Sequence, residues 1–427
     1  MVDKNLFLYD LAVVAIFKDE ARYLKEWLDY HLLAGVEHFY LYNNESSDNF
    51  TEVLASYIEK NLITLINLPG RLMQYPAYED AIGNFRFESR YMAFIDIDEF
   101  ILPKSNRSIV EVVDEILSAD PNAAGLGINW QHFGSNGQTA ADYSRGVLER
   151  FTRRAPSEWD DNSLNGNAFK KVVANPRAIR YAVNPHFFYY FNGKFDVNSN
   201  GGHIKPWHGN VPILADKIVV NHYYVKSHEE YRATKMKRGH ACSSINPYSD
   251  KKFNSYDRNE VFDDDVLKYR AARAENFSFE SDEQRVSRVI NSIFKTLTQK
   301  FSPESLQGNI ETFFTCRAAA EKFQIKIGNH FAEELALNLI HQTFAQKHSM
   351  SFANLQQFLK ALPEILPRPF PICKEINELA QQTVIPTFCE TLKSIATPKD
   401  GNFYKSVDCW KEHSDMIHLK KFLRLIN

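Results

Sequence analysis

The first hundred residues alternate short apolar runs with longer amphipathic ones, and that rhythm restricts the chain to few folds. Residues 11–17 are nearly all apolar and end in Lys18-Asp19-Glu20. Leu24, Trp27, Leu28, His31 and Leu32 then share one helical face, with Gly35 placed to cap its C-terminus. Residues 38–42 predict a second strand, followed by Asn43-Asn44-Glu45-Ser46-Ser47-Asp48, where Asp48 caps a helix to about Lys60. Residues 62–68 predict a third strand, 78–89 a helix and 91–95 a fourth strand. This order predicts a parallel sheet with right-handed crossovers. Ligands of such sheets bind beyond the carboxyl ends of the strands. Three strand ends are polar here: 18–20, 43–48 and 96–99.

The last of these ends carries the most chemistry. Residues 91–100 read Tyr-Met-Ala-Phe-Ile-Asp-Ile-Asp-Glu-Phe, with Asp96, Asp98 and Glu99 closing an apolar run. On a continuing strand Asp96 and Asp98 point the same way about 7 Å apart, or closer if the chain turns. Two carboxylates ~4 Å apart repel by about 4 kcal/mol at an effective dielectric of 20. A divalent cation reverses that cost, and Mg²⁺ or Mn²⁺ commonly bridges carboxylates to a substrate diphosphate. The plainer alternative is a solvated acidic strand end.

At 427 residues, two domains are expected rather than one. A net charge of −3 gives no global attraction to nucleic acid. The five cysteines are scattered without a CxxC pair, which argues against zinc and disulfide frameworks and fits a reducing compartment. The N-terminal residues lack a secretion-signal pattern and no run nears the ~18 apolar residues of a membrane span. A soluble, cytoplasmic protein is expected. Residues 104–118 read as helix, and 125–225 as mixed strands and loops with short strands at 171–174 and 217–220. From about 280 the pattern changes. Val286, Val289, Ile290, Ile293, Phe294 and Leu297 mark an amphipathic helix, and Ser302-Pro303 opens another. Helical patterns run on to 339 and from 352 to 366, where Pro363, Pro367, Pro369 and Pro371 interrupt them. The expectation is an α/β domain over 1–275 and an all-helical domain over 276–427.

Further segments are distinctive: Trp130-Gln-His-Phe133-Gly134-Ser135-Asn-Gly137, Asn165-Gly166-Asn-Ala-Phe-Lys170-Lys171, and Asn221-His222-Tyr223-Tyr224-Val-Lys226-Ser227. With the rest, they resemble glycosyltransferase family 92 and related family-2-like sugar transferases. The N-E…EW…YH…G pattern appears as Asp19-Glu20…Glu26-Trp27…Tyr30-His31…Gly35. A Y-x-N-x-S-x-D-like segment is Tyr42 to Asp48, and D-x-D-E-F is Asp96 to Phe100. W-x-x-F-G-S-x-G runs from Trp130 to Gly137, and H-Y-x-x-K-S-x-x-E from His222 to Glu230. Asp19 stands where that family usually has Asn. The resemblance covers roughly residues 10–240 and omits the C-terminal helices.

It implies a GT-A fold, a Rossmann-like nucleotide-binding half joined to an acceptor-binding half. It also implies Mn²⁺ or Mg²⁺ on Asp98, with Asp96 facing metal or ribose and Glu99 lying behind them. Such a cation stabilises charge on a departing nucleoside diphosphate without proton transfer. His222 is the candidate third ligand, with His186 a rival. Lys170, Lys171 and Lys226 are candidates for phosphate oxygens, and Asp19, Glu20, Asn43, Asn44 and Asp48 for base or ribose. Solvated lysines and ordinary turn chemistry are the plainer readings of these groups. Trp130 and Gly134 are candidates for the acceptor cleft, Gly134 and Gly137 giving a mobile loop. Inversion needs a carboxylate base, for which Asp160, Asp161 and Glu158 are placed.

The resulting expectation is an inverting glycosyltransferase using a UDP-linked sugar, bacterial, cytoplasmic or at the inner membrane surface, in surface polysaccharide or lipopolysaccharide synthesis. Its acceptor would be a glycan or lipid-linked glycan, and the helical domain would rest on the membrane or mediate homo-oligomerisation. The rivals are a non-catalytic nucleotide-sugar or glycan binder with a transferase fold, and a haloacid-dehalogenase-type phosphotransferase. The second is disfavoured because Glu99-Phe100 follows Asp98.

Overall fold

The computed structural model describes residues 2–160, 166–205, 212–239, 241, 247–275, 280–297 and 306–323. The chain divides into two compact units, Phe7–Ser287 and Met1–Leu6 with Arg288–Asn427. In the second unit and at its border the described elements are helices, Asp282–Leu297 and Leu306–Lys322. The first of them covers the amphipathic pattern read from 286 to 297. Ser302-Pro303 and the helical patterns beyond 323 lie outside the described residues. No described helix is long and apolar enough to cross a membrane.

Among the described residues of Phe7–Ser287, ten strands form one mixed α/β sheet. Strands β1 (Tyr9–Phe17), β2 (His38–Asn43), β3 (Ile63–Asn67) and β4 (Ser89–Phe94) run parallel in the order β4-β1-β2-β3. Helices α1 (Ala21–Leu33), α2 (Phe50–Glu59) and α3 (Gln74–Phe85) connect them. Leu11, Val13, Ala15 and Phe17 pack on the α1 side, while Ala12 and Val14 pack with Tyr78, Ala81 and Ile82 of α3 on the other. Burial on both faces is why β1 reads as an unbroken apolar run. Because β2 and β4 flank β1, the strand order reverses there, and a crevice opens beyond the carboxyl ends of β1 and β4.

The second half of the sheet is built from β5 (Glu99–Pro103), β6 (Ala123–His132), β7 (Lys170–Ala174), β8 (Phe195–Val197), β9 (His203–Ile204) and β10 (Ile218–His222). Antiparallel β7 joins β4 to β6, and β10 pairs parallel with β6 and antiparallel with β5. Two boundaries differ from the sequence expectation. Helix α3 starts at Gln74 and ends before the turn that feeds β4 at Ser89. Asn49, not Asp48, occupies the N-cap position of α2, and Asp48 instead accepts from the Ala21 amide at the start of α1 (2.7 Å).

Helix α1 braces β5 through the residues of the E-W-x-x-Y-H pattern. Trp27 Nε1 donates to the Glu99 carbonyl (2.9 Å) and Tyr30 Oη to the Ile101 carbonyl (2.8 Å). The Ile101 amide donates to His31 Nε2 (3.4 Å), which leaves Nδ1–H for the Trp27 carbonyl (2.9 Å). Residues 99 and 101 present backbone groups toward the same edge, so three side chains do there what a further strand would do. Gly35 (φ +101°) ends the helix, and a Cβ on it would lie 2.8 Å from Ser108 Cβ. Ser108 caps α4 (Ile109–Ser118) in a capping box with Glu111.

Tyr30→Phe removes one buried donor without emptying space, so it should cost about 1–3 kcal/mol. Urea unfolding checks this. The expected result is a lower midpoint at unchanged slope, and an unmoved midpoint would show that α1 does not brace β5 in this way.

Candidate active site

The carboxylates sit in a turn between two strands, not along one. β4 stops at Phe94 and Glu99 opens β5. The turn closes on itself: the Glu99 amide donates to the Asp96 carbonyl (3.1 Å) and the Asp96 amide to Glu99 Oε2 (3.0 Å). Asp96 is half-buried and accepts from Lys171 Nζ (2.9 Å) and Gln74 Nε2 (2.9 Å). Asp98 is buried and accepts from Lys235 Nζ (2.6 Å), with His222 Nε2 3.6 Å from its other oxygen. Glu99 is fully buried. Its Oε2 is 3.4 Å from Lys171 Nζ, while Oε1 has no hydrogen-bond partner and is 4.0 Å from His222 Nε2.

Burial by itself would raise all three carboxyls. At Asp98 the Lys235 ammonium, helped by His222 and Lys226, outweighs burial and holds the group well below its ordinary range. At Asp96 burial is outweighed by Lys171, against repulsion from Asp98. At Glu99 burial wins, reinforced by Asp96 and Asp98, and the carboxyl is pushed up to about 8. The lysines mirror this. Burial would lower Lys171 and Lys235, but their carboxylates hold both above their ordinary value. Lys226 is lowered, chiefly by burial. Its ammonium lies over the Tyr23 ring (4.6 Å), and among the described residues no carboxylate lies within ion-pair distance of it.

The segment after β10 supplies this cation and is itself firmly held. Ser227 and Glu230 form a capping box, and Glu230 takes a bidentate pair from buried Arg150 (2.8 and 2.8 Å) plus Tyr23 Oη (3.0 Å). The chain then widens into a π turn, Arg232–Met236, that aims Lys235 at Asp98. Arg238 follows and donates to Glu20 (2.5 Å) and the Lys18 carbonyl (3.0 Å). His222, Lys226, Ser227 and Glu230, spaced along the H-Y-x-x-K-S-x-x-E motif, thus serve as site groups or as their supports.

The structure brings Asp96, Asp98, His222, Lys226 and Glu20 together with Lys171, Lys235 and Arg238. It does not bring Lys170. Side chains alternate along β7, so Lys170 faces away, buried on Asp196 (2.6 Å) and the Phe187 ring. The other loop residues bond mainly to one another. Asp19 (φ +52°) accepts from the Ser47 amide (2.6 Å), Asn43 from the Ser46 amide (3.0 Å), and Asn44 donates to the Leu68 and Gly70 carbonyls. With Asp48 on α1, this is turn chemistry that ties the β1 and β2 ends together. His186 is half-buried with its Nδ1 on the Lys170 carbonyl (2.8 Å), and it makes no ion pair with Asp98.

Trp130 is a largely buried side chain, its ring 4.5 Å from the His222 ring and stacked on Phe169. The Gly134 loop is pinned rather than mobile. A Cβ on Gly134 would meet the Arg258 carbonyl at 2.3 Å, and the Ser135 and Asn136 amides donate to Asp257 (2.6 Å) and Asn259 (2.8 Å). Glu158 and Asp160 are exposed on either side of Trp159, whose ring faces His132 (5.2 Å) and Tyr256 (5.4 Å). Asp161 lies outside the described residues. His132, beside His222 at 5.0 Å, was hidden in an unspecified position of the W-x-x-F-G motif. Lys235 stands out in the sequence only as part of the segment after His222 and gains its place at Asp98 from a π turn.

A buried cluster of carboxylates and ammonium groups thus lies at the strand-order reversal of an α/β sheet, where enzymes of this architecture hold their ligands. Residues 13–264 match the profile of glycosyltransferase family 92, and the protein belongs to that family. Family 92 proteins of Oryza sativa subsp. japonica and Ricinus communis are each 24% identical over 225 residues, which is 52% of this chain. The chain covers 35% and 37% of those plant proteins, about a third of their length. Among solved structures, S. aureus TarS 1-349, determined alone and in complex with UDP, overlaps with a TM-score of 0.30 at 11% identity, over 82% of this chain and 89% of that one.

Burial holds His31 and His186 neutral, each with its pKa lowered to about 3 from an ordinary 6.5. In the unfolded chain both take up a proton near pH 6.5, while the folded protein does not. Stability from these two groups is therefore complete above pH 6.5 and lost as pH falls toward 3, by about 2 kcal/mol each at pH 5. Urea midpoints at pH 7 and pH 5 check this. His186→Leu should fall less steeply than the wild type, and parallel slopes would contradict the assignment.

Proposed function

We propose that this cleft transfers a glycosyl group from a nucleoside-diphosphate sugar, UDP-linked, to a glycan acceptor with inversion. One observation carries the reading. The Lys226 ammonium is buried beside Asp98 without a carboxylate of its own. A buried unpaired cation is costly, and an incoming dianionic diphosphate removes that cost. Lys235 and Arg238 add positive charge near Asp98.

The cation expected from the sequence, Mn²⁺ or Mg²⁺, fits the donor set. Glu99 Oε1 is an orphaned buried oxygen, and with Asp98 and His222 Nε2 it offers oxygen and imidazole donors 3.6–4.0 Å apart. Among the described residues no group of three such side chains is already closed around an ion position. A Mg²⁺-type site shared with substrate phosphates needs only one or two protein carboxylates. Asp98 and His222 would hold the ion, with Glu99 behind them. When bound, it would supply countercharge to the departing diphosphate. The protein's own groups do the rest: Lys226 binds phosphate oxygen, Lys171 keeps Asp96 ionised, and the aromatic wall of Trp159, Tyr224 and Tyr256 excludes water.

Glu158 and Asp160 flank that wall and are exposed, so either can take the acceptor hydroxyl proton; Asp161, outside the described residues, is the third candidate from the sequence. Trp159, half-buried at the wall, is a better sugar-stacking surface than the more deeply buried Trp130. A lipid-linked glycan in surface polysaccharide synthesis is the acceptor setting to test.

Thermal unfolding against UDP, GDP, CMP and their sugar conjugates, with and without Mn²⁺, tests the reading. A ligand at 100 times its dissociation constant adds about 2.7 kcal/mol and shifts melting by degrees. A metal-dependent shift with one nucleotide is expected, abolished in Asp98→Ala at unchanged circular dichroism. No shift with any nucleotide would favour a protein that has lost transferase chemistry. Separately, Lys226→Ala should weaken nucleotide binding at least tenfold, about 1.4 kcal/mol, both with and without metal. Equal affinity in calorimetry would remove Lys226 from the site.

A further inference from the structure

We propose that Lys235 is a donor-binding residue that serves as the resident counter-ion of Asp98 until a diphosphate arrives, so that the divalent cation enters only together with the diphosphate. This rests on the donor-site reading above and adds an order of binding and a residue to it.

The geometry is specific. Lys235 Nζ lies 2.6 Å from Asp98 Oδ2 and is almost fully buried. Its ammonium also lies 4.2 Å from the centre of the Tyr224 ring and 5.8 Å from that of Tyr248. A cation over two aromatic faces keeps a favourable contact when it lets go of a carboxylate. The residue stands in a π turn, Arg232–Met236. Such turns recur at functional sites, where they displace one residue from regular helical packing.

Charge decides the order. Asp96 and Asp98 face Lys171 and Lys235, and the Lys226 ammonium stands beside them, so the ionised carboxylates are already matched by positive charge. A divalent ion arriving alone would add two positive charges to a buried site and meet Lys235 on its main ligand. A diphosphate brings at least two negative charges and accepts hydrogen bonds from lysine. It draws Lys235 and Lys226 to its oxygens and frees Asp98 for the cation. The pair together adds no net positive charge to the site.

The test uses the full chain, Mn²⁺ and inorganic pyrophosphate, the part common to all nucleoside-diphosphate donors. Calorimetry measures Mn²⁺ binding alone and pyrophosphate binding in the presence of Mn²⁺, for the wild type, Lys235→Met and Lys235→Arg. Lys235→Met should bind Mn²⁺ alone at least tenfold more tightly than the wild type and pyrophosphate at least tenfold more weakly. Lys235→Arg keeps the charge, so its Mn²⁺ affinity should stay as weak as that of the wild type and much of its pyrophosphate affinity should remain. Should Lys235→Met fail to fold, Lys235→Gln replaces it. A wild type that binds Mn²⁺-pyrophosphate while Lys235→Met or Lys235→Gln binds Mn²⁺ no better than it overturns the counter-ion role and leaves the donor site standing. An arginine variant that binds Mn²⁺ alone tenfold more tightly than the wild type also overturns it. A wild type that binds neither Mn²⁺-pyrophosphate nor Mn²⁺-UDP overturns the donor-site reading, and this inference with it.

Discussion

Three carboxylates crowd four residues at one turn, two of them buried and one half-buried, and the rest of the domain is arranged to make that tolerable. Two of them stay ionised only because Lys171 and Lys235 reach them, one from β7 and the other from the π turn far along the chain. The third, Glu99, has no such full partner and is pushed toward its neutral form. Breaking a buried pair by removing one partner typically costs about 3–5 kcal/mol, because the remaining charge is stranded. Such a turn therefore needs a rigid frame. Helix α1 braces β5 directly after the turn, and β10 closes its other edge while delivering His222.

The same frame explains why membership of a sequence motif need not mean substrate contact. Glu26 accepts from the Val147 and Leu148 amides and so fixes the short helix that carries Arg150. Arg150 in turn holds Glu230, and Glu230 holds Ser227 beside Lys226. A chain of hydrogen bonds thus runs from α1 to the residue beside Lys226. Hydrogen-bond networks of this kind rigidify what they join.

Much of this was legible in the sequence. Alternating apolar runs mark out the parallel half of the sheet, though not its strand order, which pairing across the sheet decides. Asp96, Asp98, His222 and Lys226 meet in one cleft. The departures have physical causes. The strand at 91–95 ends sooner than its apolar content suggests, because Ile95 and Ile97 are buried by a turn as well as by a strand. Lys170 and Lys171 are indistinguishable in composition, yet the strand period sends them to opposite faces. Asn43, Asn44 and Asp48 sit at the right strand end but spend their hydrogen bonds on loop geometry. Lys235 and His132 depend on a π turn and on β6 register, which local patterns do not encode.

The central claim is that a sugar nucleotide lies with its diphosphate between the 96–99 turn and Lys226. A crystal structure with UDP and Mn²⁺, read through the anomalous signal of manganese, tests this most directly. The account predicts a manganese peak bonded to Asp98 and His222, with diphosphate oxygens against Lys226 and Lys235. A nucleotide bound elsewhere, such as the groove of about 780 Å³ lined by Arg22, Lys25, Tyr57 and Lys60 between α1 and α2, would contradict it.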